Sequence, residues 1–399
     1  MVVRHKGVVV ADLPAKSLTD EAPIYEQPVC EPVHVTRAHK WKVDSIPELS
    51  SEEVIESLEK LIGHPTIASK RWVWQQYDHM VMSGCTVEPG CDAGVVHLSI
   101  AGIDKRLAIA NDCNNRFCYL DPFKGAQIAF VECMRNLACS GAKALAVTDN
   151  LNFGNPNKPE AYFMLQECVK GLAEACTFFD VPVVGGNVSL YNENENGAID
   201  PTPVISMVGL IEEAGHVMTS FIQNAGLDII LLGGLPYELG GSYFLQTQYK
   251  LKEGRVPEVD LQAESKLQKL LLSEIKKGRI LSAHDLAEGG FLVAMVEMLF
   301  SDKHLGAELS FENFGPSDRL DALLFGESQG RVLAAVDPSE LDGLNSSAEK
   351  IGVPIQKIGK SIEKDDLVLR INSEQIFHSK LSSLQKIWED AIPSRMHTI

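Results

Sequence analysis

Two short polar runs in this sequence follow apolar runs and carry the side chains best suited to bind a cation or a phosphate. The first contains Asp149, Asn150 and Asn152, and the second reads Gly185-Gly186-Asn187-Val188-Ser189. Two consecutive glycines allow the backbone to approach a ligand closely and to point N–H groups at an anion. Carboxylate and amide oxygens bind Mg²⁺, which proteins usually share with substrate phosphates. The alternative is that these Asp and Asn residues cap turns, which is a common role for both types.

One amphipathic helix and two strands must position these runs. The apolar residues Ala144 to Val147 predict a strand that ends at the first run. Pro159 predicts the first residue of a helix, because a backbone N–H at that position would have no hydrogen-bond partner within the helix. Apolar residues then recur at spacings of three and four, which predicts a stripe facing a sheet. The stripe consists of Tyr162, Leu165, Val169, Leu172, Cys176 and Phe179. Val181 to Val184 predicts a short buried strand, and Pro182 favours an edge position or a strand start.

The composition limits the classes of protein to which the chain can belong. At 399 residues, of which 45% are hydrophobic and 23% charged, the chain is long enough for two domains. A formal net charge of −18 argues against a nucleic-acid partner, because phosphate backbones are bound by clustered lysine and arginine. We expect a cytoplasmic protein without membrane contact, since no apolar run has the length of a signal sequence or a membrane span. The absence of a G-x-x-x-x-G-K-[ST] run excludes the P-loop mode of nucleotide binding.

The nine cysteines show no C-x-x-C spacing, which favours reduced thiols over a disulfide framework. Four of them lie in helical apolar patterns, and we expect these to be packed thiols. They are Cys133, Cys139, Cys168 and Cys176.

The patterns along the chain predict three regions. Residues 1–47 read as a short β segment and a proline-rich connector without a core of its own, so we expect the tail of a preceding domain and a linker. Residues 48–215 form the first predicted domain and residues 225–399 the second. Both predicted domains mix helices with strands, so the fold class is α/β (α+β).

Two helices of the first predicted domain are clear from the sequence. Ser50 to Ile62 has a capping box formed by Ser50 and Glu53, and Gly63 ends it. Gly125 to Cys139 is apolar nearly all round, which predicts a helix buried on two sides. We expect one of those sides to be an interface, whose exposure would drive association into a homodimer or an aggregate.

Three further polar segments lie next to predicted strands or helices. Asn111 to Asn115, which includes Asp112 and Asn114, follows a strand and indicates a ligand-binding edge. His284 to Gly290 opens a helix, and the position of Asp285 near its start is typical of a helix cap. Glu327 precedes another strand in the run FGESQ, and no role for it follows from the pattern.

The runs TDNLNFGNPNKPE, GGNVSLYNE and PTPVISMVGLIE closely resemble the ATP-dependent synthetase subunits of phosphoribosylformylglycinamidine synthase. The resemblance continues through DCNNRFCYLDPFKGA, AHDLAEGG and FGESQ. In that family two similar halves, each with two domains, are fused around a pseudo-twofold axis. The chain resembles the second half. The resemblance implies an aminoimidazole ribonucleotide synthetase-like fold, with an N-terminal α/β domain containing a mixed sheet and a C-terminal αβ domain.

The resemblance also implies a reaction and its partners. The family converts formylglycinamide ribonucleotide to its amidine in purine biosynthesis, using ATP, Mg²⁺ and ammonia from a glutaminase subunit. ATP first phosphorylates the amide oxygen, and ammonia then displaces phosphate from the iminophosphate. The implied partners are the first half of the synthetase, the glutaminase subunit and a small accessory subunit.

The family's site residues are carried onto matching positions of this chain. The resemblance assigns Asp149 and Gly186 to ATP, Asn187 to Mg²⁺ and Ser189 to the ribonucleotide. The proton-accepting histidine belongs to the first half, and its counterpart here is Asn114, which cannot accept a proton near neutral pH. We therefore expect the chain to be inactive alone.

The resemblance further implies a pseudo-site for metal and nucleotide in this half. The counterpart of the first half's metal-binding glutamate is Asp112, and Asp285 and Glu327 are further candidates for the same pseudo-site. Two other functions stay open. One is a free-standing homodimeric synthetase or kinase, for which His284 is the candidate base because His79 and His97 lie in no site-like loop. The other is a scaffold whose pseudo-site holds nucleotide permanently.

Overall fold

The computed structural model describes residues 1–100, 102–235, 238–315 and 318–396. The strands are β1 Val2–His5, β2 Val8–Asp12, β3 Cys85–Val87, β4 Gly94–Ile100, β5 Ile103–Asp112, β6 Lys143–Asn152, β7 Val183–Ser189, β8 Glu193–Asn194, β9 Gly197–Ala198, β10 Thr202–Ile211, β11 Asp228–Leu232, β12 Ile280–Asp285, β13 Gly306–Phe311, β14 Val332–Val336, β15 Ile355–Ile362, β16 Asp366–Ile371 and β17 Glu374–Lys380.

The helices alternate with these strands along most of the chain. They are α1 Ala15–Leu18, α2 Val33–Ala38, α3 Val54–Ile62, α4 Arg71–Trp74, α5 Asn115–Leu120, α6 Pro122–Cys139, α7 Pro159–Phe179, α8 Tyr243–Tyr249, α9 Leu261–Lys276, α10 Gly290–Leu299, α11 Leu320–Phe325, α12 Leu341–Ile351 and α13 Leu381–Met396. Short 3₁₀ turns lie at Val43–Ser45, Ser51–Glu53, Val81–Ser83, Ala214–His216 and Pro338–Glu340. Among the described residues, none of the helices combines the length and apolar character needed to cross a bilayer.

The first large sheet has the strand order β3-β4-β5-β10-β6-β7. Only the β6–β7 pair within it is parallel, so the sheet is mixed as expected. Helices α6 and α7 cover one face, and their apolar stripes meet alternate residues of the strands, such as Val147, Ile205 and Met207. The predicted strand before Asp149 and the predicted helix from Pro159 are both present.

The other face of this sheet is exposed in the described chain. Large apolar side chains lie there or on the β7 edge, among them Ile109, Leu145 and Val184. Strand β7 is an edge strand, as Pro182 suggested, but the prediction that it is buried is wrong. Strand β7 ends the strand order, so its outer edge has no neighbouring strand, and nearly all of its residues are exposed in the described chain.

The second large sheet has the order β12-β14-β11-β15-β13-β16-β17. Its inner strands β11 and β14 are buried along their whole length, which explains their continuous apolar sequences. Helix α10 packs against one side of this sheet through Phe291 and Leu292, while α9 contributes Leu270 and Leu271 to a separate cluster.

Helix α6 joins the two sheets. Fourteen of its residues are buried, including the polar Gln127, Glu132 and Arg135. It packs on α7, β5 and β10 on one side and on α9 and β12 on the other. The expectation that one side of this helix is an interface with another chain is therefore wrong, because the second sheet and its helices of this same chain cover it.

The segment before the first sheet packs in an unexpected place. Ser50 and Glu53 form the predicted capping box, and α3 ends at Ile62 before Gly63. The apolar face of α3, including Leu58 and Leu61, lies in the core of the second sheet's layer. The β1–β2 hairpin is a separate two-stranded sheet whose valines are exposed.

The nine cysteines are free thiols. Cys133, Cys139 and Cys168 are buried and Cys176 is half-buried, so the prediction of packed thiols is confirmed.

Candidate functional site

The two polar runs lie side by side on neighbouring strands. In the parallel register of β6 and β7, Asp149 pairs with Gly186 and Asn150 pairs with Asn187. Ser189 pairs with Asn152 two residues further along each strand. The alternative, that Asp149, Asn150 and Asn187 cap turns, is wrong, since all three lie within strands. The structure therefore brings the four residues assigned to ATP, Mg²⁺ and ribonucleotide into one row.

Gly186 leaves room for the side chain of Asp149. A Cβ on Gly186 would lie 2.6 Å from Asp149 Oδ1, a distance that real Cβ atoms do not show. A Cβ on the neighbouring Gly185 would meet only Thr148 Oγ1, at 3.8 Å. Burial raises the pKa of the Asp149 carboxyl above its ordinary value. A cation or an N–H donor from a ligand would offset that cost.

The amide side chains next to this pair have defined contacts. Asn187 Nδ2 donates to Asn150 Oδ1 at 3.1 Å, so Asn187 Oδ1 is the end of the amide that can still coordinate a cation. The Ser189 hydroxyl lies 3.3 Å from Asn192 Oδ1, and Asn192 Nδ2 donates to the Ser189 carbonyl at 2.8 Å. Asp149 and Asn187 occupy successive positions of this register, so their side chains project from opposite faces of the sheet, and the described residues do not bring this carboxylate and this amide oxygen to one cation.

The loop after β7 is held against the start of α7. Lys158 Nζ forms an ion pair with Glu193 at 2.9 Å, and Glu193 also accepts from the backbone N–H of Asn155. Tyr191 adopts a left-handed backbone with φ of 61°, which is uncommon for a residue other than glycine. Tyr191 is exposed, and it follows Ser189, the residue assigned to the ribonucleotide, by two positions in the sequence.

A second candidate site is a cleft of about 1120 Å³ between the two large sheets. Carboxylates from both layers line it: Asp92, Asp112, Glu132, Asp285, Glu288 and Glu297. Burial, together with the neighbouring carboxylates, raises the pKa of Asp112 and of Glu132 well above ordinary values. The same causes raise the pKa of Asp285 to about 7. Such crowding of buried acids fits a site for a divalent cation.

Part of this negative charge is neutralised within the chain. Arg135 is fully buried and contacts Glu264 at 3.0 Å and Asp285 at 3.5 Å. His284 lies 3.0 Å from Asp92 and 3.4 Å from Glu297. Although burial lowers the pKa of His284, these two carboxylates raise it well above its ordinary value. The two carboxylates thus favour the protonated imidazole, and they occupy both ring nitrogens of His284.

The pseudo-site residues predicted from the sequence do not all meet. Asp112 and Asp285 both line the cleft, whereas Glu327 is not part of its lining. Glu327 Oε1 instead accepts from the backbone N–H groups of Tyr243 and Gly289. Asp285 lies at the end of β12, and Gly289 occupies the cap position of α10, so the capping role suggested for Asp285 is wrong.

Asn114 is engaged at both ends of its amide. Its Oδ1 accepts from the Phe117 N–H and caps α5, and its Nδ2 lies 3.3 Å from Glu288 Oε1. No proton-accepting nitrogen is present at this position.

Sequence reasoning missed several cleft residues. Glu132 and Asn136 are four apart on α6, and this spacing of polar residues on an otherwise apolar helix was the available signal. With its amide nitrogen turned toward the cleft, Asn136 donates to Asp285 at 3.0 Å and Asp92 at 3.2 Å. Asp92 and Glu288 come from segments far apart in sequence, and no pattern pointed to their meeting.

Comparison with known proteins gives the same architecture. Residues 90–211 match the N-terminal domain model and residues 224–372 the C-terminal domain model of AIR synthase related proteins. The chain is 40% identical over 392 residues to the phosphoribosylformylglycinamidine synthase subunit PurL of Alkaliphilus metalliredigens, covering 98% of this chain and 52% of the relative. For PurL of Caldanaerobacter subterraneus subsp. tengcongensis, identity is 42% over 395 residues, covering 98% and 52%.

Solved structures show the same fold at low identity. A structure titled T. maritima PurL complexed with FGAR has a TM-score of 0.66 and 19% identity, over 83% of this chain and 53% of that one. Another, titled T. maritima PurL complexed with ATP, has a TM-score of 0.61 and 19% identity, over 83% and 52%. The aminoimidazole ribonucleotide synthetase-like fold expected from the motifs is confirmed.

The chain spans about half the length of the curated relatives it matches. The two domain models together cover more than half of the chain. The chain therefore belongs to the AIR synthase related family, as a homologue of PurL subunits over about half of their length.

Proposed function

We propose that this chain is the second half of the ATP-dependent synthetase that converts formylglycinamide ribonucleotide to formylglycinamidine ribonucleotide in purine biosynthesis. The observation that carries the proposal is the parallel pairing of β6 with β7, which aligns Asp149, Gly186, Asn187 and Ser189. The identity of about 40% with PurL subunits along nearly the whole chain supports it. We place the reaction in the cytoplasm.

The chemistry needs positioning and charge neutralisation more than an acid or base in this half. An amide oxygen leaves poorly, so ATP phosphorylates it, and ammonia then displaces inorganic phosphate from the iminophosphate carbon. Catalysis of phosphoryl transfer depends mostly on alignment and on stabilising the charge of the phosphates. We propose that the ammonia comes from a glutaminase subunit, and that a small accessory subunit completes the assembly.

Each residue of the β6–β7 row receives a role in this proposal. Asp149 and the backbone at Gly186 contact ATP, and Asn187 Oδ1 binds Mg²⁺. Ser189 contacts the ribonucleotide. The Asn187 amide would contribute one oxygen ligand to Mg²⁺, which would supply positive charge for the ATP phosphates when bound.

The proton acceptor of the reaction is assigned to the first half. Asn114 supports this assignment, because its amide is engaged by the Phe117 N–H and by Glu288. The exposed face of the first sheet supports it too, since large apolar residues such as Leu145 and Val184 lie uncovered there. We propose that the first half covers this face. Residues 1–47 are proposed as a domain tail and linker, which agrees with the exposed valines of the β1–β2 hairpin.

A second candidate function rests on the interdomain cleft. The buried carboxylates of Asp112, Glu132 and Asp285 favour a pseudo-site that holds Mg²⁺ and a nucleotide for structural purposes. We leave Glu327 out of this pseudo-site. The free-standing synthetase is disfavoured, because His284, its candidate base, is held between Asp92 and Glu297.

Reconstitution tests the proposal. The chain alone, supplied with ammonia, ATP, Mg²⁺ and formylglycinamide ribonucleotide, is expected to form no amidine. Adding the first half of a PurL subunit in trans should produce turnover. Amidine formation by the rigorously purified chain alone would contradict the assignment of the base to the first half. Failure of every stable assembly of the two halves to turn over would contradict the proposed reaction.

A further inference from the structure

We propose that the formyl amide of the ribonucleotide binds in an open notch between Thr148 and Gly185, which are paired across β6 and β7. The notch is the space beside the Thr148 hydroxyl that a side chain at residue 185 would fill. The inference rests on the proposed function, in which Ser189 contacts the ribonucleotide. It adds a direction along β7, with the sugar at Ser189 and the formyl amide at Gly185.

The notch and Ser189 lie on the same face of the first sheet. Gly185 and Ser189 project from one face of β7, because alternate residues of a strand share a face. Thr148, the partner of Gly185, also pairs with Ser206 of β10, and the next residue of β10, Met207, is buried against the helices. The notch therefore opens on the exposed face of the sheet.

Nothing in the described chain requires a glycine at residue 185. Gly185 does not adopt the left-handed backbone that favours glycine. A Cβ there would meet only Thr148 Oγ1, at 3.8 Å, which is an ordinary contact distance. Gly186 differs, because a Cβ on it would crowd the carboxylate of Asp149. The space beside Thr148 is thus open to a ligand.

The chemistry of this face suits a neutral amide. Thr148 is exposed, and its hydroxyl makes no hydrogen bond to another described residue. A hydroxyl both donates and accepts, so it can bind either the N–H or the carbonyl oxygen of a formyl amide. The positions around it on this face carry no ionised side chain. They are Asn150, Asn152, Gly185, Asn187, Ser189, Thr202, Val204 and Ser206.

The distance from Ser189 to the notch matches the length of the ribonucleotide. Four residues of a strand span about 13 Å. About ten bonds join the 5′ oxygen of the sugar to the formyl oxygen, and at about 3.5 Å for every three extended bonds they reach about 12 Å. The amide that reacts lies midway along this path, and the ribonucleotide would place it level with Asn187.

The alternative is that Thr148 only packs against the first half of the synthetase, which we propose covers this face. The face changes character at Thr148, because the next row of paired residues is apolar and consists of Ile109, Val208 and Ala146. Apolar rows are typical of a protein interface, whereas the neutral polar rows suit a polar ligand. An interface role predicts weaker assembly of the halves when Thr148 is changed. A ligand role predicts weaker binding of the ribonucleotide.

The experiment measures amidine formation by the chain assembled with the first half of a PurL subunit. We expect Thr148→Val, which removes the hydroxyl, to raise the KM for the ribonucleotide about three- to tenfold, the effect of one neutral hydrogen bond. Thr148→Ser keeps the hydroxyl and should stay near the unaltered KM. Gly185→Ala narrows the notch and should also raise this KM. Thr177→Val is the control, since its hydroxyl donates to the Ala173 carbonyl on the exposed side of α7.

The ribonucleotide without its formyl group tests the direction of binding. Used as a competitive inhibitor, it has no group to place in the notch. Its inhibition constant should therefore be the same for Thr148→Val, for Gly185→Ala and for the unaltered enzyme. The KM for ATP should not change in these variants.

The outcomes separate this inference from the proposed function. If no stable assembly of the two halves turns over, the proposed function is wrong and this inference falls with it. If the assembly turns over and Thr148→Val leaves the KM for the ribonucleotide unchanged, or weakens only the assembly of the halves in sedimentation, this inference alone is overturned. It is also overturned if the variants weaken inhibition by the ribonucleotide without its formyl group as much as they raise the KM.

Discussion

The carboxylate of Asp149 lies in the space that a side chain on Gly186 would need. A Cβ built on Gly186 would be 2.6 Å from Asp149 Oδ1 and 3.1 Å from its Cγ. The two residues are paired in register across β6 and β7, so their backbones are held opposite each other. The absence of a side chain at residue 186 therefore leaves the space in which the carboxylate of residue 149 lies.

Gly186→Ala should displace the Asp149 carboxylate and weaken ATP binding by about tenfold or more, because small misplacements of contacting groups are costly. Gly185→Ala is the matched control, since its Cβ would meet only Thr148 Oγ1 at 3.8 Å. Calorimetric titration of both variants with ATP and Mg²⁺ provides the measurement. Equal affinities for the two variants would show that the Asp149 position is irrelevant to ATP.

The roles of Asp149 and Ser189 can be separated by kinetics in the assembled enzyme. Asp149→Asn should raise the KM for ATP more than the KM for the ribonucleotide, and Ser189→Ala should do the reverse. Ser189 also contacts Asn192, so its loss is expected to cost about 1 kcal/mol of stability in addition. If Asp149→Asn and Ser189→Ala both lowered the melting temperature and left the KM values unchanged, these residues would have a structural role alone.

The Glu327 carboxyl should make stability fall as pH rises. Burial, with a contribution from Glu288, raises its pKa from 4.5 to about 8. Between these values the folded state keeps the proton and the unfolded state releases it, so each pH unit costs up to about 1.4 kcal/mol of unfolding free energy. Glu327→Gln keeps an oxygen for the Tyr243 and Gly289 N–H groups and has no proton to lose.

Urea denaturation at pH 5, 6, 7 and 8 checks this prediction. The free energy of unfolding of Glu327→Gln, minus that of the unaltered chain, should increase with each increase in pH. Parallel pH profiles for the two proteins would show that Glu327 titrates in the folded state as it does in the unfolded state.

Mg²⁺ should stabilise the chain through the interdomain cleft. A cation that binds only the folded state at 100 times its dissociation constant adds about 2.7 kcal/mol of stability. We expect the Mg²⁺-induced rise in melting temperature to shrink in Asp112→Asn and in Glu288→Gln. Exposed Glu56 provides the control substitution to glutamine. If Mg²⁺ raised the melting temperature equally in the unaltered chain and in the three variants, the stabilising Mg²⁺ would bind outside the cleft.

The exposed face of the first sheet should drive self-association of the chain alone. Large apolar side chains there, such as Ile109 and Leu145, have no cover in the described chain. Leu145→Glu is expected to shift the chain from a dimer or larger aggregate toward a monomer in sedimentation equilibrium. Tyr77→Glu is the control, since Tyr77 is exposed and lies outside this face. A monomer before any substitution would contradict the prediction.

The arrangement of β6, α7 and β7 around the two polar runs could be predicted from the sequence because these elements follow one another along the chain. Helix periodicity after Pro159 and the apolar runs on either side predicted a strand, a helix and a strand. A connection of this kind makes the two strands parallel neighbours, which is enough to bring the ends of both polar runs together. The burial of β7 was mispredicted because an apolar strand at an edge reads the same as one inside a sheet.

The cleft could be predicted only in part, because its residues are far apart in the sequence. Its carboxylates come from a loop, from the end of β5, from α6, from the end of β12 and the segment after it, and from α10, and only tertiary packing brings them together. Asp112 and Asp285 were found through their resemblance to a family motif. Glu327 was grouped with them by the same route, although its carboxylate is bound to backbone N–H groups elsewhere.

The placement of α3 constrains how the chain is made. This helix is synthesised before the first sheet, yet Leu58 and Leu61 pack among residues that come much later, such as Phe291 and Leu384. At about 5 to 20 residues per second, the ribosome needs on the order of ten seconds to a minute to deliver those partners. During that time the apolar face of α3 is available to chaperones, and release of a product truncated near residue 220 would leave it permanently unpaired.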